Sequence, residues 1–361
     1  MSTSLPGLYI HIPFCKSKCP YCDFYSVTSL TLIPDYLESL KKELFLYKDY
    51  FFSFDSLYLG GGSPTAINES ELANLIEYVF KHFSFSPDSE ITIEANPDDI
   101  TPQKLKLFKK LGINRISLGI QSFEDQDLQY LQRRHTVSQN KKALEMIKTE
   151  GFSVLGIDLI YGLEIQTEKT WINTLKQALV YLPEHFSCYE LTLKNFIKIR
   201  PADEEKLRQF FILASSFLED NGYIHYEVSN YARKENYICH HNWKYWHHIP
   251  YLGLGPSAHS FHSNQRWWNI KSIKKYCQLL KQNSLPIAGK EELTEAQLRL
   301  ESLYLGLRTK SGADIQLVGK EAEKNLPDFI QSRLIKIEGG KIIPTVYGLL
   351  FADSLSLLLF D

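Results

Sequence analysis

Over its first two-thirds the chain alternates short apolar runs with amphipathic ones, and this alternation limits the folds open to it more than any other feature. Strands are expected at 8–12, 56–59, 90–94, 115–119, 154–160, 187–193 and 224–228. The intervening runs carry helix signals. Pro34 opens one, with Leu37, Leu40 and Leu44 on a single face; Asn68 is placed to cap the next, with Glu71 three residues on and Leu72, Leu75, Ile76 and Val79 inward. Thr101-Pro102 opens a third, which Gly112 closes. Further helices are expected at 138–149, 168–182 and 202–220, the last ending near Gly222. Repeated strand–helix units imply parallel strands joined by right-handed crossovers. Six or seven such units predict an α/β fold built on a (β/α) barrel, complete or partial, with its chemistry at the C-terminal strand ends.

The first strand runs directly into Cys15, Cys19 and Cys22, spaced Cys-x-x-x-Cys-x-x-Cys. Three thiolates are one too few for a closed tetrahedral zinc site and one short of the usual ligand set of an iron–sulfur cube. The trio therefore suggests a cluster with one iron left open. Cys188, Cys239 and Cys277 are scattered and read as small buried hydrophobes. Six cysteines in 361 residues do not make a disulfide scaffold and fit a reducing cytoplasm. Other strand ends are polar or glycine-rich: Gly60-Gly61-Gly62-Ser63-Pro64, Glu94-Ala95-Asn96-Pro97, Gly119-Ile120-Gln121-Ser122, and Asp158 followed by Tyr161-Gly162. They read as the lining of one mouth, although each could equally cap a helix or brace a loop. Arg133 and Arg134 follow the fourth strand, where one guanidinium could grip a carboxylate bidentately.

The pattern changes after about residue 235. Residues 239–269 are crowded with His, Trp and Tyr, and His240, His241, His247 and His248 fit either a metal site or a polar loop over the barrel mouth. From 294 onward the chain reads as a small helical unit with a hairpin at 334–343, its turn marked by Gly339-Gly340. Helices followed by a hairpin suggest a winged-helix-like module. With a net charge of −2 and no dense Lys/Arg stripe, packing or docking fits it better than nucleic-acid binding. No apolar run approaches a membrane span, and the N-terminus lacks the basic and apolar segments of a secretory signal. The expected organisation is a barrel core at 1–235, a His/aromatic-rich connecting segment at 236–290 and a C-terminal domain at 291–361.

Tyr9-x-His11-x-Pro13-Phe14-Cys15-x-x-x-Cys19-x-Tyr21-Cys22-Asp23-Phe24 resembles the signature of radical S-adenosylmethionine (SAM) proteins. Within them it resembles the branch that contains oxygen-independent coproporphyrinogen III oxidases of porphyrin biosynthesis and HemW-type haem chaperones. The likeness continues through Gly60–Pro64, Glu94–Pro97, Asn114-Arg115-x-Ser117-x-Gly119-x-Gln121-Ser122, Asp158-Leu159-Ile160-Tyr161-Gly162 and Tyr226-Glu227-Val228-Ser229-Asn230-Tyr231-Ala232. It covers nearly the whole chain.

The resemblance implies a partial (β/α) TIM-like barrel of the radical SAM type and a C-terminal domain like that of the HemN oxidases. It implies a 4Fe–4S cluster on Cys15, Cys19 and Cys22, with SAM chelating the open iron through its amino and carboxylate groups. One-electron reduction can then release a 5′-deoxyadenosyl radical. Tyr9, Tyr21, Gly61, Gly62, Ser63, Glu94, Gln121, Arg133 and Asp158 match SAM-contacting positions of the family. Ser63 stands where threonine is usual, Glu164 where proline is common, and Ser257 where glycine is usual in Gly253-Leu254-Gly255-Pro256-Ser257-Ala258-His259-Ser260. Two features separate the branches. The related oxidases carry a fourth cysteine two residues past the third, where this chain has Phe24. His241-Asn242-Trp243-Lys244-Tyr245-Trp246 fits the His-Asn-x-x-Tyr-Trp motif of the chaperones and makes His241 a candidate haem ligand. The expectation is a cytoplasmic chaperone that carries haem to an acceptor protein. The oxidase and a zinc-binding interaction module remain the alternatives, and a homodimer and a peripheral membrane contact stay open.

Overall fold

Six parallel strands in chain order form the centre of a twelve-stranded sheet in the computed structural model, which describes residues 4–192 and 199–360. They are β1 (Gly7–Ile12), β2 (Phe54–Gly61), β3 (Phe85–Ala95), β4 (Arg115–Gln121), β5 (Val154–Tyr161) and β6 (His185–Glu190). Between and after them lie α1 (Ile33–Leu46), α2 (Glu69–His82), α3 (Pro102–Lys110), α4 (Asp125–Tyr130), α5 (Val137–Glu150), α6 (Glu168–Leu179) and α7 (Glu204–Asp220). The strand expected to reach Leu193 ends at Glu190, and Leu193 lies outside the described residues.

Local chemistry explains the boundaries. The Asn68 side chain accepts from the Glu71 amide at the start of α2, and Thr101 accepts from the Lys104 amide ahead of α3. Thr136 and Gln139 form a reciprocal capping box on α5. Leu8, Ile10 and Ile12 on β1, Leu57 and Leu59 on β2, and Ile91 and Ile93 on β3 pack into one core beneath the helices. The alternate residues (Tyr9 and His11, Ser56 and Tyr58, Thr92 and Glu94, Ser117, Asp158) share the opposite, polar face.

The barrel is partial. A closed one would pair β1 with the last parallel strand; here both edges of the six-stranded centre are taken by other strands. The run expected as a seventh parallel strand corrects to β7 (Ile224–Glu227), the outer arm of a hairpin with β8 (Asn230–Ala232), which pairs antiparallel to β6. Only Val228 and Ser229 separate β7 from β8, far too few residues for the crossover a parallel neighbour needs. The segment read as a connection contributes α8 (His240–Trp246), β9 (Tyr251–Leu254), β10 (His259–His262), β11 (Gln265–Asn269), α9 (Ile273–Lys281) and β12 (Ile287–Glu292), with β9 parallel to β1.

A second, smaller core joins Leu303, Leu307, Val318, Ile335, Ile342 and Leu355. It belongs to α10 (Glu295–Gly306), β13 (Ala313–Asp314), α11 (Leu326–Gln331), β14 (Ile335–Glu338), β15 (Lys341–Pro344), α12 (Val346–Leu350) and α13 (Ala352–Leu358). The β14–β15 turn is the expected two-residue one, with Gly339 and Gly340 at φ 56° and 75°. This unit is tied to the barrel by backbone bonds from Val228 N to Arg308 O (3.0 Å) and from Lys310 N to Tyr226 O (2.9 Å).

Ser257 occupies φ 67°, a left-handed conformation that strains a residue with a Cβ. Replacing it with glycine should raise stability by about 0.5–1 kcal/mol in urea unfolding. An unchanged midpoint would remove the strain argument.

Candidate functional site

A cavity of about 590 Å³ opens at the C-terminal ends of the parallel strands, and the cysteine loop forms one wall of it. The root of that loop is clamped: Cys15 N donates to Val27 O (3.0 Å) and Val27 N to Pro13 O (2.8 Å). Inside, Cys22 N donates to Cys19 O (3.1 Å), so the last two cysteines share one turn. All three thiols are half-buried and line the cavity. Burial pushes the Cys15 and Cys22 thiols above their ordinary range, which a bound cation would reverse.

The glycine loop after β2 lies against the base of the cysteine loop. Gly62 N donates to Ile12 O (2.8 Å) and Ser63 N to Phe14 O (2.7 Å). A Cβ on Gly62 would stand 2.7 Å from Phe14 O, so only glycine permits this approach. The Ser63 hydroxyl is held by Asn96 Nδ2 (2.9 Å) and donates to Asp99 Oδ2 (3.2 Å). Asp99 also takes Thr65 Oγ1 (2.8 Å) and an ion pair with Lys16, fastening the cysteine loop to the loops after β2 and β3.

Arg133 reaches across the mouth. Its guanidinium lies 3.4 Å from Cys19 Sγ and 3.3 Å from the Tyr21 hydroxyl, and it donates to Asn96 Oδ1 (2.5 Å) and Gly119 O (3.1 Å). Its Nε is buried without a hydrogen-bond partner among the described residues, a donor that a ligand oxygen could satisfy. Opposite it, Glu94 accepts from the Tyr58 hydroxyl (2.8 Å) and Gly61 N (3.0 Å), and Asp158 accepts from Ser117 Oγ (2.8 Å). Burial pushes the Glu94 carboxyl up to about 7 and raises Asp158 as well. Gln121 sits at φ 68° where β4 ends.

The structure thus gathers Tyr21, Gly61, Gly62, Ser63, Glu94, Gln121, Arg133 and Asp158 around the three cysteines. Two expected site residues lie elsewhere. Tyr9 does not line the cavity; its hydroxyl is 3.0 Å from His11 Nδ1 and its ring packs beside Tyr58, because its place on β1 is deeper in the barrel than the loops that follow. His241, the candidate haem ligand, lies on α8 outside the cavity lining. The ring is buried, with Nδ1 2.9 Å from Ser56 Oγ and Nε2 2.8 Å from the Tyr245 hydroxyl. Tyr58 and Tyr189 line the cavity and were not singled out in the sequence. The period-two alternation back from Gly60 reaches Tyr58, a signal that strand-end glycines and acids overshadow.

Among the described residues no group of three or more His, Cys, Asp or Glu side chains is spaced to close on one metal ion. Three thiolates on one loop suit a cluster, which offers separate irons to separate thiolates, better than a closed zinc site, which wants four ligands. The three thiols, the buried Arg133 Nε and the close approach at Gly62 together fit a cluster with a polar ligand beside it.

Comparison with known proteins agrees with this geometry. Residues 9–178 match the model of the radical SAM superfamily. The heme chaperone HemW of Mycobacterium tuberculosis is 31% identical, with 96% of this chain aligned to 93% of that one. HemW of Bacillus subtilis is 32% identical over 91% and 90%. The chain belongs to the HemW family. HemW of Escherichia coli is 34% identical over 70% of this chain and 69% of its own. The HemW-family fold is shared with the coproporphyrinogen III oxidase HemN of E. coli, whose structure superposes with a TM-score of 0.86 at 23% identity, covering 99% of this chain and 90% of that one. Among the described residues no helix of this HemW-family chain is long and apolar enough to cross a membrane.

Proposed function

We propose that this chain is a haem chaperone of the cytoplasm. It holds a 4Fe–4S cluster on Cys15, Cys19 and Cys22 with SAM beside it, and passes haem to an acceptor protein. The observation that carries this reading is the likeness over more than nine-tenths of its length to proteins named heme chaperone HemW. The cavity supports it. Three cysteines line it and no fourth does among the described residues; Phe24, 62% exposed, stands at the rim where the oxidases have their extra thiol.

When bound, the cluster supplies the electron that can cleave the sulfonium of SAM. The protein's residues bind and orient. Arg133 is placed beside Cys19 to pair with a carboxylate, and its unpartnered Nε is the donor such a group would take up. Glu94 and Asp158 are acceptors for amino and hydroxyl groups. Gly61 and Gly62 let a flat or extended ligand lie against backbone.

The test uses one anaerobically reconstituted sample. Haem titration should give a saturable Soret band at about one haem per chain, and mixing with a haem-depleted cytochrome should transfer it faster than spontaneous release. The same sample with coproporphyrinogen III, SAM and reductant should give no steady product. Sustained decarboxylation would overturn the chaperone reading.

A further inference from the structure

Asp99 belongs neither to the cysteine signature nor to the set of strand-end residues around the cavity, yet loops of the site converge on it. It ends the short turn Pro97–Asp99 after β3, where its N–H donates to Asn96 O (3.0 Å). Its side chain is fully buried. A buried carboxylate is costly unless cations or hydrogen-bond donors surround it, and Asp99 has both. Oδ1 pairs with the ammonium of Lys16, the residue after Cys15, and Arg134 Nη2 lies 3.9 Å away. Oδ2 accepts from Thr65 Oγ1 (2.8 Å) and Ser63 Oγ (3.2 Å) on the loop after β2.

From Asp99 the contacts run round the cavity and return to the cysteines. Ser63 Oγ accepts from Asn96 Nδ2 (2.9 Å), Asn96 Oδ1 accepts from Arg133 Nη2 (2.5 Å), and Arg133 Nη1 lies 3.4 Å from Cys19 Sγ. The path starts beside Cys15 and ends on Cys19. With Asn96 donating to it, the Ser63 hydroxyl has one hydrogen left, which goes to Asp99 or to Thr65 (3.0 Å). That hydroxyl is therefore held within the ring of contacts.

We infer that Asp99 is a positioning residue for the cavity: its carboxylate locks the cysteine loop, through Lys16, to the glycine loop, through Ser63 and Thr65, and so sets the spacing between the cluster thiols and the wall that receives SAM. The inference rests on the reading of the cavity as a cluster and SAM site. Asp99→Asn keeps the size of the side chain but gives up the charge that Lys16 pairs with and one of the two acceptor oxygens.

The experiment compares wild type, Asp99→Asn, Lys16→Met, Lys16→Arg and the double variant of Asp99→Asn with Lys16→Met, as full-length, anaerobically reconstituted protein. Two quantities are measured: the rate at which excess EDTA strips iron, and SAM affinity from the change SAM causes in the electron paramagnetic resonance (EPR) spectrum of the reduced cluster. Loss of charge-assisted contacts should make Asp99→Asn lose iron about tenfold faster and bind SAM about tenfold more weakly. Lys16→Met should move both about threefold, because the lysine is exposed, and Lys16→Arg should keep wild-type values. The double variant should fall no further than Asp99→Asn, since both changes open one clamp. Wild-type behaviour of Asp99→Asn, a change in only one of the two quantities, additive losses in the double variant, or a Lys16→Arg variant as impaired as Lys16→Met would each overturn the inference.

If Asp99→Asn fails to fold, Lys16→Met, altered at an exposed side chain, decides by the same two quantities. A third measurement needs neither cluster nor SAM. Hydrogen–deuterium exchange in the cluster-free protein should quicken together at residues 15–22 and 61–63 in the Asp99 or Lys16→Met variant. Should wild type ignore SAM or take up no iron, that reading of the cavity falls alone, and quickened or unmoved exchange still decides for or against the clamp.

Discussion

Alanine at any one of Cys15, Cys19 or Cys22 strips the cluster: iron in the anaerobically reconstituted protein should drop from about four atoms per chain to near background. These thiols share one half-buried loop whose ends are clamped at Val27, and the described lining of the cavity offers no other thiol to replace a lost one. Cys188, Cys239 and Cys277 are buried away from the cavity, so alanine there should leave iron content and the visible absorption spectrum unchanged. Circular dichroism should show all six variants folded, since no cluster is needed to complete the hydrophobic core. A full complement of iron in a variant of the trio, or its loss in one of the other three, would contradict the assignment.

The second large effect concerns a carboxyl far from any cysteine. Glu43 on α1 is fully buried and accepts from Tyr276 Oη (2.6 Å), Gly255 N (2.8 Å) and Asn269 Nδ2 (2.6 Å). It thereby fastens α1 to α9, to the loop after β9 and to β11. Burial pushes its carboxyl from 4.5 up to about 7, against the three hydrogen bonds that favour the anion. The folded state thus holds a proton that the unfolded chain releases, so this group costs stability as pH rises from about 4.5 to about 7, by at most about 3 kcal/mol. Buried histidines act the other way. His11 and His225 are lowered to about 4, and His135 and His241 to about 3, so the unfolded chain takes up protons below pH 6.5 and stability falls as the solution is acidified. Stability should therefore peak near neutrality.

Glu43→Gln removes one loss of stability that develops as pH rises from about 4.5 to about 7, and leaves the histidine-driven acid fall in place. Whatever its constant offset, the variant should gain on wild type by up to about 3 kcal/mol between pH 5 and pH 8 in urea unfolding. Parallel pH profiles would show that the Glu43 carboxyl stays ionised in the folded protein throughout.

Much of this was legible from sequence because the information was local. Strand and helix boundaries follow from period-two and period-3.6 patterning and from caps such as Asn68 and Thr101, all read within a few residues. The mouth of the barrel was legible because polar residues after successive parallel strands must converge there. What escaped depends on distance along the chain. The run at 224–228 has the composition of one more parallel strand, and it is excluded from that place by β8, which lies between it and β6. The addition of β9–β12 to the β1 edge leaves no local signature. Tyr9 shares a signature with the cysteines but sits deeper on β1, since sequence proximity does not carry a side chain up to the cavity. His241 has the chemistry of a metal ligand, and only tertiary placement shows both nitrogens engaged by Ser56 and Tyr245, which lie on different elements.

The most direct test of the account is the EPR spectrum of the dithionite-reduced, anaerobically reconstituted wild-type protein with and without SAM. A cluster bound by three cysteines, with an iron open to SAM, should give a cubane signal whose g-values shift when SAM is added. A signal indifferent to SAM in iron-replete protein, or a protein that refuses iron and takes up a single zinc instead, would contradict it.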